Sequence, residues 1–401
     1  MASPTLELAK REIDESLKLS TSCMFLIGFS LKTPADPSTA LRIKIVFVAT
    51  IIGVSLHALS ELAFLCVTIA NSPRVEYVAP LLHTVGYGIL SICKISALFS
   101  KRNVFARLLN DLRTIWPVYT NEETQNIKSR SLRALRIAHL SYFALNESGV
   151  LFYIITPVVL YLFNVLRGQE YHIRTVWRSW YPFDIYSSIL LHTVIYIFEI
   201  FSGQSCVWAM ICSDLLFSGM ASHIVLILEV LQKRLQLLGC AVKSDTENYQ
   251  DIVDCVKLHQ KLIRYCNDLE DAFSFVNLIN IFLSSVNICC VVFVIVLLEP
   301  LMAMSNKLFF AASVIQIGVI CWYGENIIHA NANVAQAAYD SKWYNLNPKC
   351  RRSLAFLIQR SQKPIAFTAM KFTNISLVTY SAILTRSYSY FALLYTMYSE
   401  N

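Results

Sequence analysis

Charge is scarce in this chain of 401 residues. Only 15% are Asp, Glu, Lys or Arg, 55% are hydrophobic, and mean hydropathy is +0.50. A soluble domain carries about 25% charged residues, so a soluble globular protein is excluded and most of the chain belongs in lipid. Glycine and proline number 11 each. An internal repeat or spans broken by Gly and Pro would suggest a transporter, and Pro157 alone is weak support. Twelve cysteines are present, but no C-x-x-C and no Cys/His ligand spacing, so no zinc site is expected. They read as small apolar side chains in helices. Also missing are G-x-x-x-x-G-K-[ST], H-E-x-x-H, G-x-S-x-G and G-x-G-x-x-G, the patterns that cradle phosphates, hold zinc or expose a nucleophile. No enzymatic activity, cofactor or metal is expected. The net charge of +7 is not a nucleic-acid footprint, because the basic residues flank apolar segments as membrane borders do.

A helical span needs about 20 mainly apolar residues. Six runs meet this, roughly 43–70, 78–99, 137–163, 183–217, 273–298 and 308–329, and 372–397 is a less uniform seventh. No cleavable leader is expected before the first. Met1 to Ser20 reads as a cytosolic amphipathic segment with Leu6, Ala9, Ile13 and Leu17 on one face. Of the 34 Lys and Arg residues, 27 fall on one side of these spans and five on the other, with Lys94 and Arg386 inside them. The positive-inside rule makes the N-terminus cytosolic and the C-terminus extracellular, the reverse of a G-protein-coupled receptor. The sequons at Asn146 and Asn374 fall inside the third span and at the cytosolic start of the seventh, so neither is expected to carry glycan.

The expected fold is therefore an all-α membrane protein with seven transmembrane helices and a cytosolic helical anchor region. Residues 1–42 form a cytosolic segment, and 43–329 hold spans one to six with their cytosolic extensions. Residues 330–371 form the cytosolic anchor, and 372–401 hold the seventh span and the extracellular end. Helical spacing continues past span four (Ile224, Ile227, Leu228, Leu231, Leu235, Leu238) and before span five (Ile252, Val256, Leu262, Ile263, Cys266, Phe273). With a short helix ended by Pro364, these amphipathic faces predict a cytosolic bundle. Lys94 lies near the cytosolic end of span two and is expected to snorkel outward. Glu61, Glu147 and Glu199 also fall inside spans, where neutral, paired and hydrated states all stay open.

The last third of the chain carries an ordered set of short motifs. Cys321-Trp322-Tyr323-Gly324-Glu325 leads to Ala338-Tyr339-Asp340-Ser341-Lys342-Trp343-Tyr344, then Arg351-Arg352-Ser353-Leu354 and Arg360-Ser361-Gln362-Lys363-Pro364. Phe372, Leu377-Val378-Thr379-Tyr380 and Ser387-Tyr388-Ser389-Tyr390-Phe391-Ala392-Leu393-Leu394 close the series. Weaker matches are Trp180-Tyr181-Pro182-Phe183-Asp184 and His259 to Ser274. In order and spacing this resembles the insect odorant receptor family. The related gustatory receptors share the topology but usually end in a Gln-Phe, where this chain has Thr396-Met397. The family's co-receptor has a long insertion between spans four and five that is missing here, so the resemblance is to a ligand-tuned subunit.

The resemblance implies a ligand-gated, non-selective cation channel. A tuning subunit would assemble with the co-receptor in a heterotetramer, in the plasma membrane of olfactory sensory neurons. Its partners are a small volatile odorant, the lipid bilayer and permeant cations. The odorant site is expected in the outer half of the bundle, at His83, Tyr87, Ser148, Phe152, Tyr153, Thr156, His192, Thr193, Tyr196, Phe309, Phe310, Ser313 and Gln316. Aromatic rings there give apolar contact and a quadrupolar face, and hydroxyls and imidazoles orient one polar group. The pore helix is expected to present Arg386, Ser389 or Tyr390, Leu393, and Thr396 or Met397 on one face. The family's gate residues fall on Leu393 and Met397, and an apolar ring can gate by dewetting. Arg386, about 10 Å deeper than Leu393, either faces a water-filled vestibule or pairs with a carboxylate. Subunit contacts are expected at Tyr339, Trp343, Tyr344, Leu354, Phe356 and Leu357.

Overall fold

A computed structural model describes residues 4–32, 36–72, 74–118, 121–168, 174–297 and 304–399. Residues 1–3 of the amphipathic segment, position 298 of the expected fifth span and the last two residues of the chain lie outside them. Eleven helices make up nearly all of the described residues: α1 (Pro4–Ser16), α2 (Lys18–Leu26), α3 (Pro37–Asn71), α4 (Val75–Ser100), α5 (Arg102–Ile115), α6 (Glu122–Leu166), α7 (Ile189–Gln236), α8 (Asp245–Leu297), α9 (Met304–Tyr339), α10 (Pro348–Ser361) and α11 (Leu377–Ser399). Six of them, α3, α4, α6, α7, α8 and α9, are long and apolar enough to cross a membrane. The 23 residues of α11 span about 34 Å at 1.5 Å per residue, enough for a seventh crossing.

Local sequence sets several helix starts. The Asp36 carboxylate accepts from Ser38 N and Thr39 N at 3.3 and 3.2 Å, with Pro37 next in line. Asn121 accepts from Thr124 N at 3.1 Å and Asn347 from Cys350 N at 2.9 Å. Each cap satisfies backbone donors that a helix end leaves free.

Burial sorts the spans. The apolar window of α7 is 94% buried within the chain, against 28% for α3 and 11% for α6. Helix α7 is thus the central post, and α3 and α6 keep most of their apolar surface for lipid. Helices α7 and α8 hold 48 and 53 residues, about 72 and 80 Å long, well beyond a bilayer of about 45 Å including headgroups. Their overhangs build the bundle expected from periodicity. Ile224, Ile227, Leu228, Leu231, Ile252, Leu262 and Leu269 are buried there with Leu354 and Leu357 of α10. His259 and Asn331 meet at 3.0 Å, and Asn331 Nδ2 donates to the Ser361 carbonyl at 2.9 Å, which ties α8 and α9 to the end of α10.

The N-terminal segment docks onto this bundle. Ala9, Ile13 and Leu17 are buried while Leu6 stays exposed. Ser20 Oγ donates to the Cys212 carbonyl of α7 at 2.8 Å. Asp14 meets Arg113 and Lys32, both at 2.8 Å. Partial burial pushes the Asp14 carboxyl upward, but the hydrogen bonds and charges of Lys32 and Arg113 outweigh it and hold the group below its ordinary value.

Two expected boundaries move. Residues 183–188 are not helical: Asp184 accepts from Tyr186 N at 2.9 Å in a short 3-10 turn, and α7 begins at Ile189. Residues 372–376 precede α11 as part of a small antiparallel hairpin. There β1 (Thr368–Ala369) pairs with β2 (Thr373–Asn374) through Thr368–Asn374 and Ala369–Thr373. Met370 and Lys371 take left-handed backbone angles, φ 50° and 63°, to close it.

Candidate ligand cavity and final helix

A cavity lies among α3, α4, α6, α7 and α9. His57 and Glu61 come from α3, His83, Thr84, Tyr87 and Gly88 from α4, Asn146, Gly149, Val150 and Tyr153 from α6. Cys206 and Val207 of α7 and Phe309 and Ala312 of α9 complete the wall, with Trp177 from the segment before α7. Its void is about 40 Å³, room for a few waters.

A cover over one end of the cavity is built around Glu199. Val176 N and Trp177 N donate to its Oε2 at 2.8 and 3.2 Å, and the Tyr181 hydroxyl to its Oε1 at 3.0 Å. Trp180 N donates to the Ser60 carbonyl of α3 at 3.1 Å. These bonds fold residues 174–184 over the bundle and seat the Trp177 ring against Tyr153, centroids 4.9 Å apart. Gly203 makes this possible, because a Cβ there would lie 2.7 Å from Trp177 Nε1. Tyr153 is also fixed by its hydroxyl, which donates to Asn306 at 2.7 Å. Phe309 receives His83 and Tyr87 edge-on, each at 5.1 Å.

Four of the residues expected at the odorant site therefore meet at this cavity: His83, Tyr87, Tyr153 and Phe309. The others lie away from its lining. Phe152 and Thr193 are exposed. Ser148, Thr156 and Ser313 donate to carbonyls of their own helices. Tyr196 donates to the Ile154 carbonyl at 2.7 Å, and His192 stacks between Tyr186 and Tyr196. Phe310 is half-buried outside the wall. The expected list lacked His57, Glu61 and Trp177: α3 was not counted in the site, and only the folded cover brings Trp177 inward.

Gln316 belongs to a different feature. Below the cavity, Lys94 of α4 pairs with Asp214 of α7 at 2.5 Å, and Tyr142 of α6 and Gln316 of α9 each donate to the second carboxylate oxygen at 2.9 Å. The Lys94 side chain is fully buried. The expectation that it snorkels is corrected: a counter-charge stands at its own depth, and the packing of α4 against α7 closes the way to solvent. Asp214 went unnoticed in the sequence, where an acid within an apolar run was the available signal. Glu147 also has partners, accepting from Gln204 at 2.8 Å and Trp208 at 3.0 Å, whereas Glu61 lies 3.6 Å from His57 Nε2, too far for a good hydrogen bond.

Helix α11 buries only Ile383 and Ser387, the latter donating to the Ser285 carbonyl of α8 at 3.1 Å. Arg386, Ser389, Tyr390, Leu393, Thr396 and Met397 are all exposed in the single chain. Among the described residues no carboxylate lies within 4.0 Å of Arg386. The base of α11 rests in a socket made by the Trp-Tyr-Gly-Glu motif of α9. A Cβ at Gly324 would lie 2.3 Å from the Ile375 carbonyl, and Glu325 accepts from Leu377 N at 3.0 Å. From α8, Ser274 Oγ accepts from Met370 N at 2.8 Å and Glu270 accepts from the Thr368 hydroxyl. Of the expected subunit contacts, Tyr339, Trp343, Tyr344 and Phe356 are exposed, whereas Leu354 and Leu357 are buried in their own chain.

The bundle of membrane-length helices around a buried aromatic cavity is that of a multi-pass membrane protein. Residues 81–388 match the family described as 7tm Odorant receptor. Odorant receptor 67c of Drosophila melanogaster is 26% identical over 371 residues, covering 91% of each chain, and odorant receptor 85b of the same fly is 25% identical over 406 residues, covering 97% of this chain and all of that one. The insect olfactory receptor OR5 from Machilis hrabei in complex with eugenol superposes with a TM-score of 0.83 at 16% identity, covering 98% of this chain and 99% of that one. The same receptor described without eugenol gives 0.80 at 17%, covering 96% of each. The chain belongs to the insect odorant receptor family, a family of receptors rather than enzymes.

Proposed function

We propose that this chain is the ligand-tuned subunit of an odorant-gated, non-selective cation channel. It assembles with a co-receptor in a heterotetramer in the plasma membrane of olfactory sensory neurons, with its N-terminus in the cytosol. The observation that carries the reading is the small, buried cavity that α3, α4, α6, α7 and α9 share. Its aromatic lining suits a small, mainly apolar molecule, and OR5, with the same fold, is described in complex with eugenol.

In this reading the ligand enters the cavity and binds the open state more tightly than the closed one, which shifts the population. Helix α9 links cavity to pore. It carries Phe309 in the wall, Gln316 on the Asp214 carboxylate and Glu325 at the foot of α11, about 24 Å along one rod. The exposed row Arg386, Ser389, Tyr390, Leu393, Thr396 and Met397 suits a surface facing water and neighbouring subunits, because an arginine on a lipid-facing surface is costly. Tyr339, Trp343, Tyr344 and Phe356 are the cytosolic side chains free to meet those neighbours.

The test is expression with and without a co-receptor, recording currents against a panel of volatile organic compounds. Ligand-evoked cation current that needs the co-receptor is expected. Absence of current under every ligand, with the subunit confirmed at the surface, refutes the channel reading.

A further inference from the structure

One part of the cavity wall is polar and under-bonded. His83 is 3% exposed, and neither of its ring nitrogens has a partner at hydrogen-bond distance, the Pro80 carbonyl one turn back lying near the ring without meeting that geometry. His57 is also 3% exposed and its Nδ1 is unpartnered. Its Nε2 lies 3.6 Å from Glu61 Oε1, beyond good hydrogen-bond reach. The Thr84 hydroxyl, turned to the Leu81 carbonyl at 3.1 Å, keeps an accepting lone pair. The remaining wall is mostly aromatic or aliphatic.

Buried polar atoms are normally satisfied, and leaving one unmade is costly. A neutral imidazole offers one N–H donor and one nitrogen acceptor, and neither nitrogen of His83 makes a bond of good geometry. A hydroxyl is the small group that donates and accepts at once. An ether or ketone only accepts, and an ammonium only donates. We propose that the preferred ligand is a small alcohol or phenol whose hydroxyl bonds His83, with Glu61 and His57 beside it and its apolar body among Tyr87, Tyr153 and Phe309. This rests on the odorant-receptor reading and adds the ligand class to it.

The experiment compares a primary alcohol with the ether, ketone, amine and alkane of the same length, by thermal stabilisation of the purified full-length receptor and separately by evoked current. The alcohol is expected to half-saturate at a concentration about tenfold below the ether, the worth of one good hydrogen bond. His83→Phe, which keeps a ring against Phe309, is expected to abolish that gap while still binding the ether. His83→Gln, which keeps a donor and an acceptor, is expected to retain it. An ether or alkane that binds as tightly as the alcohol overturns the proposal, and so does an amine that binds most tightly. The wild-type ranking decides this even if His83→Phe fails to fold. Alcohol-selective binding without current sinks the channel reading alone, and current without the alcohol preference sinks the hydroxyl assignment alone.

Discussion

Removing the ammonium of Lys94 is the sharpest perturbation this fold offers. Its partner Asp214 is 4% exposed and accepts from Lys94, Tyr142 and Gln316. In Lys94→Met the carboxylate keeps two neutral donors and loses its only ion-pair partner among the described residues. Breaking a buried pair from one side costs about 3–5 kcal/mol, roughly a hundredfold to a few thousandfold in the folded-to-unfolded ratio. Asp214→Asn strands the ammonium and should cost a similar amount. The double variant leaves neither charge unpaired and should recover part of the loss, with a coupling of about 1–3 kcal/mol. Reversible denaturation of the purified receptor, run on all four corners of the cycle, gives these values. Single variants within about 0.5 kcal/mol of wild type, the scatter of surface substitutions, would refute the reasoning. Because the pair joins α4 to α7 while Tyr142 and Gln316 bring in α6 and α9, ligand sensitivity should shift with stability.

Gly324→Ala puts a methyl 2.3 Å from the Ile375 carbonyl. It should cost about 1–3 kcal/mol as overpacking and lower evoked current at unchanged surface expression. Gly203→Ala pushes on Trp177 at 2.7 Å, so the half-saturating ligand concentration should change while unliganded channel assembly does not. Asp14 is held below its ordinary value by Lys32 and Arg113. Its contribution is therefore present above the unfolded value near 3.8 and lost as pH falls through the lower folded value. Hydrogen exchange of residues 4–16, corrected for intrinsic rates, should rise only in that acid window. Arg386→Ala, recorded with the co-receptor, should raise cation conductance if the guanidinium faces the permeation path, and unchanged conductance and permeability ratios reject that placement.

Much of the fold was legible because lipid imposes a simple rule: backbone groups must be satisfied within a helix, so a long apolar run is a helix. Where that rule stops, the reading slipped. Residues 183–188 were expected to begin span four, yet Asp184 accepts from Tyr186 N in a 3-10 turn there, and the Tyr181 bond to Glu199 just before it turns the chain back over the bundle. Residues 372–376 look helical beside α11, but pairing with Thr368 and Ala369 and the Gly324 socket claim them. In the candidate site, His83, Tyr87, Tyr153 and Phe309 line one cavity because both their depth and their helix face coincide. Their neighbours in the expected list shared the depth but not the face.

Sequence alone determined the membrane class, the approximate placement of the spans and the apolar helix faces that continue beyond them, which follow from hydropathy and helical period. Tertiary structure alone decided the partners of the buried charges. Lys94 and Asp214 are 120 residues apart, and no local pattern relates them. Only the packing of α4 on α7 brings a cation and an anion to one depth, where each removes the cost of burying the other. The same packing carries Trp177 over the cavity and leaves the His83 ring nitrogens without a partner at hydrogen-bond distance, and so gathers aromatic residues scattered along the chain around one void.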